Sequence, residues 1–231
     1  MRPDDPGRGQ GVRDVLVRRL DPFTSGLLVL CTVIELTLQF ADLGVLGTPR
    51  LRFVAYTYGG FWPGLLGDWR PNFAGQPVLM FLTYSFLHAG FVHFVVNMVT
   101  LASLGPAVQD RGGTLRYAFI YVVSILGGAL AYGVLAPGAA PMVGASGGLF
   151  GLAGALLAWD TAERRALRLS LRPILRVVIF LVLMNLVLWW AMSGQLAWQA
   201  HLGGFLAGAA LAALLGGGRG PRRHGPSSLS D

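Results

Sequence analysis

Five polar residues stand inside or at the edge of strongly apolar stretches of this chain: His88, His93, Asn97, Ser146 and His201. Their types suit one kind of chemistry. A serine hydroxyl beside a neutral imidazole is an activated nucleophile, because the ring takes the proton as the oxygen attacks. Further N–H donors can hold the negative charge that then develops on a substrate oxygen. His93 and Asn97 are four residues apart and share a helix face, whereas His88 and His93, five apart, do not. With that spacing, no carboxylate joining them and Cys31 the single cysteine, no metal site is expected. The chemistry calls for no cofactor.

The elements that must position these residues are membrane helices. Hydrophobic residues make up 54% of the 231 and charged residues 13%, about half the charged share of soluble domains. Six apolar runs are readable, at about Gly26–Gly44, Gly90–Val108, Leu115–Ala136, Ser146–Trp159, Ile174–Met192 and Trp198–Leu215. Most approach the roughly 20 residues a spanning helix needs. All 18 basic residues are arginine, and the net charge is +7. They fall between the apolar runs, so they read as topology signals and not as a nucleic-acid surface. If six helices cross and both termini are cytoplasmic, fifteen arginines lie on one side, leaving Arg50, Arg52 and Arg70 on the other. The expectation is an all-α polytopic protein: a cytoplasmic tail over 1–22, a six-span domain over 23–216 and a second tail over 217–231. The N-terminal tail shows no signal-peptide cleavage pattern and is expected to lead into a retained helix.

On this topology the second, fourth and sixth runs point the same way, so depths compare directly. The fourth is expected to end near Asp160, which places Ser146 roughly 10 Å below the outer surface. His201, Asn97 and His93 come out at the same level. A fourth helix starting that deep requires Pro137 to Ala145 to dip into the membrane as irregular backbone, buried in protein or lining a cavity. The free N–H groups and positive dipole end of such a half-helix suit an oxyanion.

Glycines supply the close approach. Gly147 and Gly151 share a face of the fourth helix, and Gly204 and Gly208 share one of the sixth, on the His201 side. Packing the two faces would bring Ser146 to His201. No carboxylate in the outer half of the later spans could orient His201, so a dyad is expected, with Phe150, one turn below Ser146, packing on the ring.

At these residues the chain resembles the rhomboid proteases. Gly144-Ala145-Ser146-Gly147 followed by Gly151 is similar to that family's serine motif, and Ala200-His201-Leu202-Gly203-Gly204 followed by Gly208 to its histidine helix. His88, His93 and Asn97 match the family's His-x4-His-x3-Asn on the second span. The resemblance implies a six-helix rhomboid-like bundle and an intramembrane serine endopeptidase that cuts transmembrane segments of other proteins. It implies Ser146 as nucleophile and His201 as base, His93 and Asn97 as oxyanion donors, and His88 as structural. It also implies substrate access between the second and fifth spans under the Ser193–Ala197 loop. A multi-pass location in the bacterial inner membrane is expected. The chain departs from the family's Trp-Arg pair in the first external loop: Leu79-Met80 stand there, with Trp69-Arg70 upstream.

Two rival readings use the same polar cluster. One is a catalytically inactive binder of transmembrane helices. The other is a transporter, which the lack of an internal repeat disfavours. Elsewhere, Glu35 is expected to bond within the bundle, Trp189 and Trp190 to form an interfacial belt, and the aromatic-rich loop of about Val45–Phe86 to lie on the membrane surface.

Overall fold

A computed structural model describes residues 20–136 and 140–216. Both terminal tails beyond those limits, and residues 137–139 of the dipping segment, lie outside it. The described residues form eight α-helices, with one isolated bridge between Phe61 and Met142. They are α1 (Pro22–Asp42), α2 (Leu51–Gly59), α3 (Gln76–Thr83), α4 (Phe91–Gly112), α5 (Thr114–Leu135), α6 (Ser146–Ala166), α7 (Arg172–Ala191) and α8 (Trp198–Leu214). The six expected spans are α1 and α4 to α8.

Four of these, α1, α4, α5 and α7, are long and apolar enough to cross a membrane. The other two differ for physical reasons. Helix α8 has 17 residues, short of the roughly 20 a full span needs. Helix α6 does not stop near Asp160 as the sequence reading has it; it runs on to Ala166. Asp160 pairs with Arg164 one turn on (3.0 Å), and Glu163 pairs with Arg111 of α4 (2.7 Å). Those ion pairs let the helix continue after its apolar part ends.

Helices α5, α6 and α8 form the centre. Their contact surfaces are mostly glycine, so backbone meets backbone. A Cβ on Gly204 would strike the Gly147 carbonyl, one on Gly208 the Gly151 carbonyl, and one on Gly154 the Phe205 carbonyl. The Gly147–Gly204 and Gly151–Gly208 contacts step along both helices in the same direction, and Trp159 Nε1 donates to the Ala212 carbonyl (3.0 Å) at their far ends. Helices α6 and α8 are therefore parallel, as the topology requires. Helix α5 closes the third side, where Gly127 faces Gly203 and Ala207, and Gly128 faces Gly147 and the Ala200 carbonyl. By contrast, no residue of α7 is buried.

Polar contacts sort the helix ends. Asp21 caps α1 by accepting from Phe23 and Thr24 N–H (3.0 and 3.1 Å), and Thr24 Oγ1 lies 2.9 Å from Tyr117 Oη at the start of α5. Gly113, at φ +81°, links α4 to α5 directly. With the Arg111–Glu163 pair, this gathers the start of α1 and α5 and the finish of α4 and α6 at one end. Arg111, Arg116, Arg164 and Arg165 all belong to that end.

At the opposite end the aromatic-rich loop is folded, not extended. Helices α2 and α3 were not foreseen individually in the sequence, being short and one-sided. Arg52 of α2 reaches the fully buried Glu35 of α1 (2.9 Å), Asp42 (2.6 Å) and the His88 carbonyl (2.9 Å). Tyr56 Oη donates to the same carbonyl (2.6 Å). Buried Gln76 donates to the Thr57 carbonyl and accepts from Asn72 N–H (2.7 and 2.8 Å), and Trp62 packs against Trp69 (6.0 Å). Glu35 thus bonds within the bundle, as expected.

Two outcomes follow for thermal unfolding in detergent. Gly208→Val sets a branched side chain against a backbone carbonyl that cannot yield, and should cost about 1–3 kcal/mol. Arg52→Ala leaves the Glu35 carboxylate buried without its partner and should cost about 3–5 kcal/mol, whereas the double change Arg52→Ala with Glu35→Leu should recover most of that loss.

Candidate active site

Ser146 opens α6, directly after a buried turn. Gly144 sits at φ +130°, a conformation that L side chains rarely adopt. Its N–H donates to the Tyr84 carbonyl (2.9 Å), and Met142 pairs with Phe61 through both backbone bonds (2.9 Å each). Met142, Gly144 and Ala145 are buried. From Met142 to Ala145 the dipping segment is thus irregular backbone packed against protein, the condition under which a membrane interior tolerates it, while Ala140 is exposed. Tyr84 also donates from Oη to the Ile125 carbonyl (2.8 Å). No sequence motif had marked this residue.

The close packing of α6 and α8 has a direct result: His201 Nε2 lies 2.9 Å from Ser146 Oγ. Phe150 stacks flat on the His201 ring at 4.2 Å between centroids and 8° between planes. Of the glycines paired by spacing, Gly204 and Gly208 lie against the carbonyls of Gly147 and Gly151, while a Cβ on Gly147 or Gly151 would first meet the side chain of Tyr84 or Ser124.

His93 borders the same space. A Cβ on Gly144 would come within 3.2 Å of His93 Nε2 and 3.8 Å of Ser146 Oγ. The Ala89 N–H donates to His93 Nδ1 (3.1 Å). An accepting Nδ1 in a neutral ring leaves the proton on Nε2, so His93 presents an N–H donor towards Gly144 and Ser146. Asn97 lies one turn further along α4 and is buried, but its Nδ2 donates to the His93 carbonyl (2.8 Å) and its Oδ1 has no hydrogen-bond partner. No hydrogen bond joins Asn97 to Ser146 or His201 among the described residues. His88 is fully buried, edge-on to His93 (5.5 Å) and Phe94 (5.6 Å). Neither of its ring nitrogens makes a well-formed hydrogen bond.

One partner was missed in the sequence. His201 Nδ1 lies 2.6 Å from Asn185 Oδ1 of α7. Asn185 was passed over because α7 otherwise looks like a plain lipid-facing helix; a lone amide in an apolar run was the available signal. Beside this pair, α7 and α8 border an open apolar cavity of about 580 Å³ lined in part by Phe150, Leu181, Trp189 and Phe205. Among the described residues no group of three or more metal-ligating side chains gathers here or elsewhere.

Known proteins are similar to this chain in sequence. The chain is 36% identical over 135 residues to the Rhomboid protease GluP of Bacillus subtilis, covering 58% of this chain and 25% of that one. It is 35% identical to RHOMBOID-like protein 5 of Arabidopsis thaliana over 53% of this chain and 39% of the relative. It is 32% identical to Rhomboid-like protease 3 of Toxoplasma gondii over 64% and 56%. The matched stretches thus span between a quarter and just over half of the length of these relatives. The sequence profile of the rhomboid domain matches residues 75–218, more than half of the chain and every residue of the site described above. The chain belongs to the rhomboid family and is an integral, multi-pass membrane protein.

Proposed function

We propose that this protein is a serine endopeptidase that cuts transmembrane segments of other membrane proteins, and that Ser146 and His201 carry the reaction. The observation behind this is the 2.9 Å contact between Ser146 Oγ and His201 Nε2, made at the start of a helix packed inside the bundle. Two of the similar proteins are named as proteases.

His201 takes the hydroxyl proton as Ser146 Oγ attacks the scissile carbonyl carbon, and the carbonyl oxygen becomes an oxyanion. His93 Nε2–H is the side-chain donor best placed for that charge. The second N–H of the Asn97 amide and the Ser146 backbone N–H complete the set, and no side chain caps the first turn of α6 to compete for it. His201 then returns its proton to the leaving amine. A water, deprotonated by the same ring, attacks the ester carbonyl and restores the Ser146 hydroxyl. The reading also assigns a cytoplasmic side to the arginine-rich helix ends, and with it both termini.

Ser146→Ala and His201→Ala should each abolish cleavage of tagged single-span proteins co-expressed with the chain, while insertion and melting temperature stay near wild type. Ser146 in the unaltered protein should react with a serine-directed fluorophosphonate. Cleavage that persists in pure Ser146→Ala protein would sink the assignment, and an unaltered chain that never labels would instead indicate a non-catalytic binder of helices. His93→Ala should lower kcat by about 10²–10³ with little change in KM, as expected for a donor engaged in the transition state.

A further inference from the structure

We infer that Asn185 is the positioning residue of His201, fixing which ring nitrogen carries the proton and which way the ring turns; this rests on the proteolytic reading above. The amide's orientation is set on its own helix. Asn185 Nδ2 donates to the Leu181 carbonyl one turn back (2.8 Å). Turning the amide over would set Oδ1 against that carbonyl, two acceptors facing each other. Oδ1 is therefore the atom presented to His201, at 2.6 Å from Nδ1.

An amide oxygen only accepts. The contact is a hydrogen bond only if Nδ1 carries the proton, and a neutral imidazole with a proton on Nδ1 has its lone pair on Nε2. Nε2 is the atom 2.9 Å from Ser146 Oγ. Asn185 thus selects the tautomer in which His201 can accept the serine proton. It also complements Phe150. The Phe150 ring, parallel to His201 at 8°, restricts the plane of the imidazole but is indifferent to rotation within that plane and to the tautomer. The Asn185 bond supplies both missing restraints.

Among the described residues no carboxylate hydrogen-bonds to His201. Glu35 and Asp42 are held by Arg52, Glu163 by Arg111, Asp160 by Arg164, and Asp21 caps α1. An uncharged acceptor fits the setting, since a carboxylate buried among apolar helices would carry a desolvation cost that an amide does not. The arrangement is therefore a serine, a histidine and an asparagine drawn from three separate helices.

The test uses the full chain in detergent micelles and in proteoliposomes, with the unaltered protein, Asn185→Leu and Asn185→Asp. Leu removes the acceptor at similar volume; Asp, kept protonated by its apolar surroundings, donates its O–H to the Leu181 carbonyl and keeps an acceptor oxygen towards His201 Nδ1. Asn185→Leu should lower both the fluorophosphonate labelling rate of Ser146 and kcat on a single-span substrate by about 100-fold, with KM and melting temperature little changed. Asn185→Asp should stay within about ten-fold of wild type. Nitrogen-15 spectra of histidine-labelled protein give a readout that needs no catalysis: His201 should show a single tautomer protonated at Nδ1 in the unaltered chain. Wild-type labelling by Asn185→Leu, a loss in Asn185→Asp as large as in Asn185→Leu, or an Nε2-protonated His201 in the unaltered chain would each overturn the role of Asn185 while leaving the protease intact. An unaltered chain that neither labels nor cleaves would overturn both.

Discussion

The backbone-to-backbone contact of α6 with α8 sets the geometry of everything around it. Where a Cβ of residue 204 would stand, the Gly147 carbonyl already is; where one of residue 208 would stand, there is the Gly151 carbonyl. Ser146 immediately precedes the first of these contacts and His201 lies one turn before Gly204. The hydroxyl-to-imidazole distance of 2.9 Å is thus a consequence of how near two helix axes can come. In a bilayer such proximity is not driven by hydrophobic burial, because lipid is as apolar as the helix; it comes from dense van der Waals contact, which small residues permit. Helix α5 strengthens the constraint from a third side, with Gly127 and Gly128 laid against Gly203, Gly147 and the Ala200 carbonyl. A methyl group at any of these positions would separate axes before it disturbed any catalytic group directly.

This explains why Ser146 and His201 could be read in the sequence. Polar residues are costly in apolar surroundings, and each of these two carries its packing instructions beside it, in glycines spaced at a helical repeat. Gly144 is legible for a related reason, since φ +130° excludes other residues from the turn that aims Ser146. Asn185 has no such frame. Its partner is sixteen residues away on another helix, no glycine flanks it, and α7 has the composition of a helix that touches only lipid. The end of α6 was misjudged on different grounds. Asp160 reads as a boundary when taken alone, but the pairing of Glu163 with Arg111 involves a residue 52 positions earlier, and no local pattern records it. Helices α2 and α3 are too short for a periodic signal to stand out.

The outer loop bears on the site through one carbonyl. Arg52 and Tyr56 both donate to the His88 oxygen (2.9 and 2.6 Å), so the chain is pinned at the residue before Ala89. Ala89 in turn donates to His93 Nδ1 and thereby decides that the proton of His93 is on Nε2, facing Gly144 and Ser146. The buried ion pair with Glu35 holds Arg52 in place. A carboxylate in the first span, an arginine in a surface helix and the tautomer of a histidine in α4 are therefore linked by successive hydrogen bonds.

The two histidines of the site are thus set by the same device applied in opposite senses. At His93 a backbone N–H donates to Nδ1 and leaves Nε2 a donor; at His201 an amide oxygen accepts from Nδ1 and leaves Nε2 an acceptor. One ring is left with a donor at Nε2 and the other with an acceptor there, though the side chains are identical. The two settings differ in firmness. That of His93 is built into the first turn of its own helix. That of His201 comes from α7, which has no buried residue and borders a cavity of about 580 Å³ on its inner side; among the described residues the Asn185 bond is the one side-chain hydrogen bond that ties α7 to another helix. Any shift of α7 that lengthened the 2.6 Å contact would release the imidazole to either tautomer. The orientation of the His201 ring is therefore as well defined as the seat of α7, whereas Ser146, at the head of a glycine-packed helix, is held whatever α7 does.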